Sequence, residues 1–83
     1  MIPHTQLTDV QLRTLIKAGV ITFGGNKKLK IYGLLRCASG KKLLKQNRVF
    51  FSTVYDAKHL GYRPCGHCMR LEYKIWKQEN EPI

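Results

Sequence analysis

The chain has 83 residues, which is enough for one domain spanning 1–83 whose small core would need an added staple. Fifteen Lys and Arg against five Asp and Glu give a formal net charge of +10, and such an excess points to a polyanionic partner. No stretch approaches the ~18 apolar residues that would span a bilayer, so a soluble protein without a membrane partner is expected.

The first helix has start and stop signals. Thr8 to Gln11 reads as a capping box, with Leu7 and Leu12 at the two staple positions, and Gly19 is placed to end the helix in a left-handed conformation. A helix is expected over about Asp9 to Ala18, with Val10, Leu12, Leu15 and Ile16 as a stripe facing the core. After a short apolar piece, Val20 to Phe23, the run Gly24-Gly25-Asn26 reads as a chain reversal, and Leu29 to Arg36 as a strand that delivers Cys37 at its end. Lys41 to Lys45 reads as loop or one helical turn. Arg48 to Phe51 is β-branched and aromatic, and it is expected to pair antiparallel with the preceding strand.

Ser52 or Thr53 is suited to cap a second short helix ending at Gly61, and Pro64 stiffens the chain ahead of Cys65. From Cys68 onward, Met69, Tyr73 and Trp76 recur at helical spacing and read as core rather than as a base-stacking surface. The tail from Gln78 to Ile83 is expected to fray.

The charge is unevenly distributed. Between Asp9 and Asp56 there is no acidic residue, while that interval carries ten Lys and Arg, so a nucleic acid would meet no local repulsion there. The candidate contacts to a DNA phosphate backbone are Lys41, Lys42, Lys45, Arg48, Arg63 and Arg70. Charge that merely keeps a small protein-interaction domain in solution is the competing reading.

Three cysteines complete the inventory. Cys65-Gly-His-Cys68 has the spacing of a metal-binding knuckle, and Cys37 is the one remaining thiol. An odd count and a Cys-x-x-Cys pair argue against a disulfide framework and, with no signal-like segment, for the reducing cytoplasm. One zinc held by Cys37, Cys65 and Cys68 is expected. Closed structural zinc sites want four ligands, and His67, His4 or water stand open for the fourth position.

The run Gln46-Asn47-Arg48-Val-Phe-Phe51, a short helix, then Gly61-Tyr-Arg-Pro-Cys-Gly-His-Cys68 resembles the metal-binding domain of the Ada family of DNA methylphosphotriester repair proteins. The resemblance covers roughly Leu29 to Cys68. It implies an α+β fold and a zinc held by four thiolates; with the elements and charge read above, a small antiparallel sheet flanked by short helices and stapled by one zinc is expected, in a monomer that binds duplex DNA. It also implies stoichiometric transfer of a methyl group from a DNA phosphotriester to Cys37, the position matching the family's acceptor. The sequence departs from the family pattern where a second cysteine would follow, since Cys37-Ala-Ser-Gly-Lys-Lys42 has none, and Gly33-Leu-Leu-Arg36 stands where Thr-Thr-Gly precedes the acceptor. The alternative reading is a non-enzymatic zinc module in nucleic-acid binding or transcription control.

Overall fold

A computed structural model describes residues 1–81. In chain order the elements are β1 (Ile2–Pro3), α1 (Asp9–Lys17), β2 (Phe23–Asn26), β3 (Ile31–Leu34), α2 (Ala38–Lys41), β4 (Arg48–Phe51), α3 (Val54–His59), β5 (Arg63–Pro64) and α4 (Arg70–Glu79). Two 3-10 turns, His4–Gln6 and Lys45–Asn47, precede α1 and β4.

The strands form one sheet in the order β1-β4-β2-β3-β5. Four strands alternate in direction, but β5 runs parallel to β3, with Ile31 opposite Arg63 and Tyr32 opposite Pro64. Three of the four pairings are antiparallel, as expected, and the parallel β5 makes the sheet mixed. The cause lies in α3: a parallel neighbour needs a crossover connection, and the segment after β4 supplies it. The partner of β4 is a correction. It pairs with β2 and β1 instead of the strand just before it.

That pairing follows from the glycines. A Cβ on Gly25 would come within 2.9 Å of the Phe51 ring and 3.1 Å of the Ile31 carbonyl oxygen, so the two glycines form the tight middle of β2 instead of a turn. The reversal lies at residues 27–30. There the Asn26 side-chain oxygen accepts from the amides of Lys28 and Leu29, and Lys30 takes a positive φ of 58°.

Alternation along the strands divides the sheet into two unlike faces. Tyr32, Val49 and Phe51 point to the core face, where Ala57 of α3, Tyr62 and Met69 close over them. Phe50, Arg48, Gly24 and Gly33 share the opposite face, by strand alternation and by the pairing of Gly24 with both Phe50 and Gly33. The adjoining glycines leave part of that face hollow.

Helix α1 has the expected capping box: Thr8 accepts from the Gln11 amide at 3.1 Å and its own amide donates to the Gln11 side chain at 2.9 Å. Its apolar stripe is not core, however. No α1 residue is buried: Leu12 and Leu15 are half-buried, and Val10 is 68% exposed. Thr53 caps α3 by accepting from the Asp56 amide, and Gly19 and Gly61 both take positive φ behind their helices. Met69 is buried, with Tyr73 and Trp76 half-buried behind it on α4, so the aromatic spacing reads as packing. Gln78 and Glu79 continue α4; residues 82 and 83 of the expected frayed tail lie outside the described residues.

Candidate metal centre

The three sulfurs are brought together by β3 and β5. Cys37 follows β3 through a turn closed by its amide donating to the Leu34 carbonyl, and Cys65 follows β5, its amide donating to the Tyr32 carbonyl at 2.8 Å. The knuckle then folds Cys68 back onto β3. The three Sγ atoms lie within 4.8 Å of one another, and Cys37 Sγ is 4.0 Å from Cys65 Sγ. All three cysteines are free.

Tetrahedral zinc with Zn–S bonds of about 2.3 Å holds its sulfurs about 3.8 Å apart, so this cluster is within about 1 Å of zinc geometry. Backbone amides face the sulfurs as a thiolate site requires: Leu34 donates to Cys68 Sγ at 3.3 Å and His67 to Cys65 Sγ at 3.4 Å. The donor set fits zinc. Gly33 is what lets the knuckle close, since a Cβ there would stand 2.7 Å from Cys68 Sγ and 3.0 Å from Cys65 Cβ. The sequence offers no signal for this approach, because it links Gly33 to positions more than thirty residues away.

The sulfurs are not equivalent. Burial, together with the adjoining Cys37 and Cys65, pushes the Cys68 thiol up to about 12. At Cys37 burial also acts upward, but the amides of Gly40 and Ser39 and the neighbouring thiols outweigh it and hold the group below its ordinary value.

Among the described residues, no His, Asp or Glu joins the three sulfurs. His4, an option for the fourth ligand, does not fold over the site. It is buried in the 3-10 turn after β1, edge-on to the Phe50 ring with centroids 5.2 Å apart. Burial, with Arg48 and Lys45 nearby, lowers its pKa. His67 stays at the knuckle surface, its amide given to Cys65.

Beside the sulfurs the hollow face opens into a cavity of about 310 Å³. Its lining includes Cys37 and Cys65, Ser39, Gly40 and Leu43, and Arg48 and Arg63, and no acidic residue. Arg48 is half-buried with its guanidinium over the Phe50 ring, and burial lowers its pKa. Arg63 stacks over Tyr73 and Trp76 at 5.0 and 5.6 Å and donates to the Pro64 carbonyl. Lys41, Lys42 and Arg70 are exposed, while Lys45 pairs with Asp9 at 3.9 Å across two exposed side chains, an ion pair of little energetic weight.

Fold and site together define a small α+β protein whose three-cysteine cluster fits zinc. The family model described as the metal binding domain of Ada matches residues 17–70, and the chain belongs to that family. No curated protein and no solved structure matches it. No described helix is long and apolar enough to cross a membrane.

Proposed function

We propose that this chain is a zinc-dependent DNA-binding domain in which Cys37 accepts a methyl group from a DNA phosphotriester, once per molecule. The observation that supports it is the placement of Cys37 in the lining of a cavity without acidic residues, which Arg48 also lines, with Lys41 and Lys42 exposed one turn further on. Bound zinc keeps its cysteine ligands as thiolates at neutral pH. Cys37 Sγ then attacks the methyl carbon in line, an S–C bond forms as the C–O bond breaks, and the electron pair leaves with the DNA phosphate as a diester anion. Arg48, Lys41 and Lys42 face that new charge. A thioether has no route back, so the transfer is stoichiometric. The three free cysteines suit a reducing compartment such as the cytoplasm.

A second reading, a non-enzymatic nucleic-acid-binding module, is favoured by the ligand count. Three thiolates on zinc carry a formal charge of −1 where four carry −2, and the poorer shell slows attack by Cys37. Incubating zinc-loaded protein with methylphosphotriester DNA and mapping the adduct by peptide mass separates the two. A methyl group on Cys37 is the expected result; tight binding with no adduct selects the second reading, and a methyl on Cys65 or Cys68 alone overturns the assignment.

A further inference from the structure

Zinc wants four ligands and the described residues bring three, so one position is left to something outside the chain. Its direction is set by the packing. Cys68 lies behind the cluster, against Gly33 and the Leu34 amide, whereas Cys37 and Cys65 line the cavity. The uncovered side of the sulfur triangle therefore faces that cavity.

Across the hollow face stands a cation without a counter-charge. Arg48 is half-buried and, among the described residues, forms no ion pair; its Nη2 makes one long hydrogen bond, 3.4 Å, to the Leu35 carbonyl. The Arg48 Nη2 lies 3.8 Å from where a Gly24 Cβ would sit, and Gly24 is paired with Gly33, which touches the cysteines. Paired strands bring those two glycines within about 5 Å, so Arg48 and the nearest sulfur lie no more than about 12 Å apart, with the Leu35 side chain also over Gly24. Leu29, Ile31 and Leu43 add apolar surface to the lining, beside the polar Asn26, Ser39 and His67 and a second cation, Arg63. The cavity thus brings together the sulfurs that would hold a soft metal, the Arg48 cation and apolar side chains in one lining.

We propose that this cavity receives a small thiol bearing a carboxylate, whose sulfur completes the zinc shell while its carboxylate meets Arg48. The proposal rests on the zinc reading of the site. On binding, the thiol S–H bond breaks, its proton goes to solvent, and a Zn–S bond forms. A fourth sulfur matches the softness of the other three. A carboxylate matches the planar fork of a guanidinium. The added thiolate takes the shell from −1 to −2, which makes Cys37 the better nucleophile that the three-sulfur shell does not.

The test uses the full chain loaded with cobalt in place of zinc, read by its sulfur-to-cobalt charge-transfer absorption. Adding 3-mercaptopropionate is expected to raise that band by about one third, as three sulfur ligands become four. Propionate is expected to leave it unchanged, and 2-mercaptoethanol to raise it only at concentrations about 10-fold higher, since it lacks the charge-assisted bond to Arg48. Arg48→Gln should remove that 10-fold advantage while leaving the 2-mercaptoethanol titration where it was. Should the variant fail to fold, the comparison of the two thiols on the unaltered chain still decides. A band that stays flat or disappears with 3-mercaptopropionate, or two thiols that bind equally, overturns the proposal. Failure to bind cobalt at all overturns the metal reading beneath it.

Discussion

Replacing Gly33 by Ala tests whether the knuckle and β3 are built around each other. The added Cβ would stand 2.7 Å from Cys68 Sγ, against ordinary separations of about 3.5–4.0 Å, so the sulfur must retreat by about 1 Å. Metal sites tolerate departures of about 0.2 Å from their bond lengths, and the Cys65 Cβ at 3.0 Å blocks an easy sideways escape. Overpacking of this kind costs about 1–3 kcal/mol, equivalent to a drop in zinc affinity of roughly 5- to 150-fold. Gly33 does not occupy the left-handed region, so the cost is steric and owes nothing to backbone strain. Gly40→Ala is the control, because its Cβ would meet only the Cys37 Cβ at an ordinary 3.9 Å. Competition with a chromophoric chelator, alongside melting with and without zinc, reads both variants. Zinc affinity in Gly33→Ala equal to that of the unaltered chain would refute the packing argument.

Binding to duplex DNA should weaken linearly in a plot of log affinity against log salt, and Lys41→Ala with Lys42→Ala should lower the slope by roughly 0.9 for each phosphate that is no longer neutralised; an unchanged slope would remove both from the interface. Thr8→Ala should cost about 1 kcal/mol of stability in denaturant titration by removing half of the capping box, with zinc affinity untouched. For His4 the folded-state pKa lies below the ordinary 6.5, so its stabilising contribution is full above that value and is lost as pH falls from there through the lower folded value. His4→Phe should therefore flatten the decline of melting temperature between about pH 7.5 and about pH 5.5, compared in zinc so that metal release enters both proteins alike. Equal declines would show that His4 carries none of the acid sensitivity.

What is legible in the sequence is local. The caps of α1 and α3, the two positive-φ glycines behind them and the Cys-x-x-Cys knuckle are each written within a few consecutive residues, and each stands where its chemistry places it. The joining of Cys37 to the knuckle also follows from ligand arithmetic, since a zinc site with two cysteines at hand draws on the third. Long-range partnership is less legible. Gly24 and Gly25 look like a turn in isolation and become strand only because the Phe51 ring and the Ile31 carbonyl need the space a side chain would fill. The parallel seat of β5 depends on a crossover whose direction no residue encodes by itself, and Val10 is apolar yet exposed. His4 is hard to place for a related reason: it looks like part of a flexible arm, yet β1 pairing on β4 buries it against Phe50.

Cys37, Cys65 and Cys68 together are expected to hold one zinc on which the fold depends. Native mass spectrometry of the full chain, with and without chelator and repeated on Cys37→Ser and Cys65→Ser, addresses it directly. One zinc per chain is expected in the unaltered protein, with its release in either variant or in chelator accompanied by the broad charge-state distribution of an unfolding domain. A compact ion series without zinc, or a Cys37→Ser chain that keeps its metal with undiminished affinity, would contradict the account.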